Sequence, residues 1–115
     1  MAKYTATLPG SRDELAGYIK THAKGLGVTV SLEEEQAGEA GPVKYWVGTF
    51  ERYALVGKNR SSLTVVLMEH GEGVDVVATA SGGSQAVYLK VNVFSEQSFL
   101  EDFEKLMGWY LEGRS

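Results

Sequence analysis

The chain has 115 residues, 43% of them hydrophobic, with 15 acidic and 11 basic side chains and a net charge of -4. That length suits one domain with its own core. There is no cysteine, which excludes disulfides, thiolate metal ligands and cysteine nucleophiles together.

The basic residues are spread along the chain. Binding to a phosphate backbone relies on clustered Lys and Arg, so nucleic acid is not an expected partner. No apolar run approaches the roughly 20 residues that span a bilayer, so no membrane partner is expected. The opening MAKYTATLPG lacks the apolar segment of a secretion signal, and the expected location is the cytoplasm.

Lys3 to Leu8 alternates, with Tyr4, Ala6 and Leu8 on one side, as in a half-buried strand. In PGSRDELAGYIKTHAKGLG, Ser11 and Glu14 have the S-x-x-E spacing of a capping box. Leu15, Tyr18, Ile19 and His22 recur at helical spacing, and Gly25 is placed to stop that helix. Val28, Val30 and Leu32 alternate again. The acidic, glycine-containing stretch EEEQAGEAGP that follows reads as a loop by composition.

Three more alternating runs follow Pro42: VKYWVGTFERYAL, SSLTVVLMEH and VDVVATA. With Gly71-Glu72 as a two-residue turn, Leu67 faces Val76, Val65 faces Ala78 and Leu63 faces Ala80, while Thr64 faces Thr79 and Val66 faces Val77. Apolar meets apolar on both faces, and a one-residue slip would destroy that agreement. A turn at Gly82-Gly83 would add QAVYLKVN as a further strand, with Val76 facing Leu89 and Asp75 facing Lys90. The last helix is read from SEQSFLEDFEKLMGWYLEG, with Ser95 as N-cap and Phe99, Phe103, Leu106 and Tyr110 along one seam.

The whole reads as a single α+β domain over residues 1–115: an antiparallel sheet of five to six strands with two helices packed on one face, in the order β-α-β-β-β-β-β-α.

Signals of chemistry are few. Gly82-Gly83-Ser84-Gln85-Ala86 is one residue short of G-x-S-x-G. A nucleophile elbow needs a strand-turn-helix context and a later histidine, and His22 and His70 both precede Ser84. No catalytic residue, cofactor or metal is therefore expected, and an enzyme is the reading with least support. Glu69, His70, Glu72 and Asp75 gather near one turn, yet alternation points them apart. In FERYAL, Glu51 and Arg52 must face opposite ways, so one charge points inward unless a bulge intervenes. Arg52, beside Tyr53, is a candidate to hold a carboxylate or phosphate. Ser81, Ser84 and Gln85 complete a candidate anionic-ligand set.

The outer face of the sheet gives the leading functional expectation. Val66, Val77 and Tyr88 line up across three strands with Met68 beside them, and either Trp46/Phe50 or Tyr45/Val47 extends the row. An exposed apolar row of this kind points to an interface, most simply a homodimer. The leading expectation is a small binding protein that self-associates through this face. The alternative is a small-molecule binder that takes an anionic ligand.

FERYAL, GKNRSSLTVVL and SGGSQAVYLKVN, together with the opening MAKY, resemble a family of short bacterial proteins, mostly from Gram-positive anaerobes, described only as a domain of unknown function. The resemblance covers nearly the whole chain. It implies a small stand-alone domain and brings no activity, substrate or site residue.

Overall fold

The structure, a computed structural model, describes residues 2–27, 29–54, 59–82 and 89–114. Its elements in chain order are strand β1 (Ala2–Leu8), helix α1 (Arg12–Thr21), a 3-10 turn (Ala23–Leu26), strands β2 (Ser31–Ala40), β3 (Val43–Ala54), β4 (Asn59–His70) and β5 (Gly73–Gly82), and helix α2 (Leu89–Arg114). The strands form one antiparallel sheet in the order β1-β5-β4-β3-β2. Both helices contribute to a single core on one face of it, which is the expected α+β arrangement.

The β4–β5 hairpin has the expected register. His70 pairs with Gly73 around the two-residue turn Gly71-Glu72, and Leu67/Val76, Val65/Ala78 and Leu63/Ala80 follow. All six of those apolar side chains are buried. Alternation carries the same face into β3 through Trp46, Gly48 and Phe50, and into β1 through Tyr4, Ala6 and Leu8. Gly48 lies beneath the Trp46 ring, where a Cβ would overlap the ring atoms. This close approach explains a glycine inside a strand.

Two segments differ from the sequence expectation. Residues 89–92, the second half of the expected strand QAVYLKVN, are the start of α2. The edge of β5 is taken instead by β1, with Ala6 opposite Val76, Thr7 opposite Asp75 and Leu8 opposite Val74. The two segments carry similar alternation, and only one can occupy that edge. Neither Gly nor Pro interrupts the chain from Ser84 to Met107, so helix can propagate back past Ser95. Ser95 is thus inside α2 and does not cap it. Tyr88, Ser84, Gln85 and Gly83 lie outside the described residues.

The second correction concerns EEEQAGEAGP. It is strand, not loop: β2 pairs with β3 along its length, with an irregularity between Leu32 and Glu34. As the outer strand of the sheet, β2 can carry charges that a central strand could not, and its charges discourage edge-to-edge aggregation. Its turn is Gly41-Pro42, with Gly41 at φ 61. A two-residue hairpin turn with Gly first and positive φ is the type II′ arrangement.

Helix α1 starts as expected: the Ser11 hydroxyl accepts from the Glu14 N–H at 3.0 Å. It ends sooner. The C-cap is His22, the 3-10 turn follows, and Gly27 at φ 138, not Gly25, takes the conformation that favours glycine. Helix α2 lays Phe99, Phe103, Leu106 and Tyr110 into the core as the seam predicts. Tyr4 meets Phe103 edge-on at 5.9 Å, and burial, aided by the Glu104 carboxylate, pushes the Tyr4 phenol pKa up. The Tyr110 hydroxyl donates to the Pro9 carbonyl at 2.8 Å, which ties the end of α2 to the connection between β1 and α1.

Candidate functional site

With both helices on one face, the opposite face of the sheet defines the candidate site. Register and alternation place its side chains in rows running from β1 to β2. The central row is Thr5, Val77, Val66, Val47 and Gln36. On one side of it runs the row Thr7, Asp75, Met68, Tyr45 and Gly38. On the other runs Lys3, Thr79, Thr64, Thr49 and Glu34. Of the expected row of Val66, Val77 and Tyr88, Val66 and Val77 stand side by side with Met68 in the adjacent row. Val47 and Tyr45 extend these two rows on β3, Thr5 of β1 stands opposite Val77, and Tyr88 lies outside the described residues. Trp46 and Phe50, the other candidates, point into the core. None of Tyr45, Val47, Val66, Met68 or Val77 is fully buried in the chain, and no described helix packs on them. Shallow hollows of about 310 Å³ beside Tyr45 and Val47, and about 360 Å³ beside Asp75 and Met68, give this face relief on both sides of β4.

Polar groups on this face are largely held by one another. The Thr7 hydroxyl donates to Asp75 at 2.7 Å. His70 Nε2 lies 3.0 Å from the same carboxylate oxygen, while its Nδ1 accepts from the Glu72 N–H at 3.1 Å. The Asp75 pKa is lowered, chiefly by the His70 hydrogen bond and next by that from Thr7. Ser62 and Ser81 share a hydrogen bond of 2.9 Å, and Arg60 meets Glu51 at 2.8 Å. Glu69 turns to the helix face and accepts from the Arg12 N–H at 2.6 Å. A carboxylate there favours the positive end of α1.

The inward charge of FERYAL is Arg52. Its guanidinium donates to the Leu26 carbonyl at 2.7 Å and to Asp102 of α2 at 2.8 Å. It also lies 4.4 Å above the centre of the Phe99 ring. The side chain is only 14% exposed. The carboxylate it holds is the chain's own Asp102. Tyr53 and Ser81 project from the other face, because Tyr53 follows Arg52 in the strand and Ser81 alternates with the buried Ala80. The described part of the candidate ligand set is therefore divided between the two faces.

On β2, Glu35 points to the helix side. Its Oε1 accepts from Trp46 Nε1 at 2.9 Å and from Lys20 of α1 at 3.0 Å. The Trp46 hydrogen bond, then that of Lys20, lowers its pKa from the ordinary 4.5. A lowered carboxylate pKa stabilises the fold at pH values above the unfolded value and loses that contribution as pH falls through the folded one. Acid titration of Glu35→Gln beside the parent chain tests this. The parent should be the more stable at neutral pH, with the gap closing below about pH 4.5. A constant gap would contradict the assignment. Fluorescence of the buried Trp46 should report the same transition, with Trp109, largely exposed, as an insensitive background.

Lys3 and Glu34 were not expected to matter. Lys3 was legible as the outward residue beside Tyr4. Glu34 was hidden because a charged edge strand resembles a loop in composition. They occupy opposite ends of one row, and both are exposed.

This geometry defines a two-layer α+β protein whose second sheet face is open among the described residues. The chain belongs to DUF6054, a family of unknown function, whose model matches residues 1–110. No curated protein and no solved structure matches the chain. Among the described residues, no helix is long and apolar enough to cross a membrane.

Proposed function

We propose that this is an interaction protein that self-associates through the open face of its sheet. The observation that carries the reading is the row of three valines, Val77, Val66 and Val47, at the centre of a face on which, among the described residues, neither helix packs. A contiguous apolar centre bordered by polar residues is the usual make-up of an interface.

Size supports it too. Five strands about 4.8 Å apart, sharing the seven residues of β1 at about 3.3 Å each, present a face of about 550 Å². Two such faces buried together remove about 1,100 Å² from water, just above the roughly 1,000 Å² that a specific contact should clear. Anionic-ligand binding at Arg52 has less support, because that guanidinium is engaged by Asp102, Leu26 and Phe99. The lack of cysteine suits a reducing compartment, and we assign the protein to the bacterial cytoplasm.

Light scattering from low to high protein concentration tests the reading. A reversible rise in mass to twice that of the chain is expected. A constant monomer mass would remove the proposal.

A further inference from the structure

Resting on that reading, we infer that the occupant of the open face is a second copy of this chain, related by a two-fold axis running nearly along β4, with Glu34 of each copy meeting Lys3 of the other. The inference comes from the order of residues across the face. The strand order places β4 in the middle, with β5 and β3 flanking it and β1 and β2 at the edges. A two-fold axis along β4, between two stacked sheets, exchanges β5 with β3 and β1 with β2 while keeping each row at its own height.

The central row then stacks on itself. Val66 meets Val66 on the axis, and Val77 meets Val47 of the second copy on each side. In the next row Met68 meets Met68, and Asp75 meets Tyr45 of the second copy, a carboxylate opposite a phenol. The third row begins with Lys3 and ends with Glu34, with Thr79, Thr64 and Thr49 between them. Four strand spacings separate the two charges, about 19 Å, too far to pair within one chain. The rotation brings each opposite the other's mate, giving two symmetric ion pairs at the rim.

No like charges oppose one another in these rows. A two-fold axis across the strands would instead exchange the upper and lower rows. It would put Glu34 on Gly38 and Lys3 on Thr7, with no ion pair. Sheets that pack face to face align their strands within about 30°, so a tilt of about 15° between the axis and β4 brings this arrangement into the common aligned class.

Charge reversal with rescue is the test. Lys3→Glu and Glu34→Lys, each alone, place like charges together at both rims and should weaken dimerisation about tenfold. The effect should shrink in high salt. The double variant restores opposite charges, and its dimerisation constant should return to within about twofold of the parent's. Far-ultraviolet circular dichroism and thermal melting check that the three variants fold alike. If the parent dimerises and Val66→Lys abolishes this, but single reversals have no effect or the double variant does not recover, the axis along β4 is wrong while the use of the face stands. If the parent is monomeric at every concentration, both fall.

Discussion

Arg52→Ala is expected to cost the fold about 2–4 kcal/mol, the range for removing one partner of a largely buried, hydrogen-bonded charge pair. The loss has three sources. Asp102 keeps its charge without its cation, the Leu26 carbonyl loses a donor, and the Phe99 ring loses the guanidinium lying 4.4 Å above its centre. Asp102 is 33% exposed, so water offsets part of the penalty and the lower half of the range is favoured. Arg52→Lys should recover less than half, since one ammonium cannot span a carbonyl, a carboxylate and a ring in that geometry. Urea denaturation of both variants measures this. A double-mutant cycle with Asp102→Ala should show coupling of about 1–2 kcal/mol. Negligible destabilisation by Arg52→Ala would mean that the contacts contribute little, and would restore Arg52 as a candidate for external ligands.

Val66→Lys is expected to weaken self-association at least about a hundredfold while leaving the monomer folded. Val66 lies between Val47 and Val77 at the centre of the open face. In the monomer a lysine there can extend its ammonium into water along its apolar stem. In the dimer it would bury two unpaired ammonium groups, one from each copy. Sedimentation equilibrium separates the two effects, with the melting temperature as control. Unchanged association with an intact fold would place the contact elsewhere.

What was legible in the sequence follows from how local each determinant is. The β4–β5 hairpin could be read because two neighbouring strands and their turn must agree on both faces, and Gly71-Glu72 fixes the register. The cap of α1 needs only Ser11 and Glu14. The segment 89–92 was misread because the alternation it belongs to resembles that of β1. Which of the two pairs with β5 is a contact between distant parts of the chain, set by tertiary competition. β2 was misread for a different reason: an outer strand has no need of an apolar face, so its composition resembles a loop. That error also concealed Glu34, and with it the charge pairing inferred across the face. Arg52 could be narrowed to one of two inward charges, but its partner lies on α2, 50 residues away.

The most direct test of the open face is methyl NMR of the parent chain on dilution, because adjacent residues of one strand report on opposite faces. Self-association through this face predicts concentration-dependent shifts for the methyl groups of Val47, Val66, Val77 and Met68. Val65, Leu67 and Val76, buried on the helix side of the same strands, should stay nearly constant. Shifts confined to the helix side, or spectra that do not change with concentration, would contradict the account.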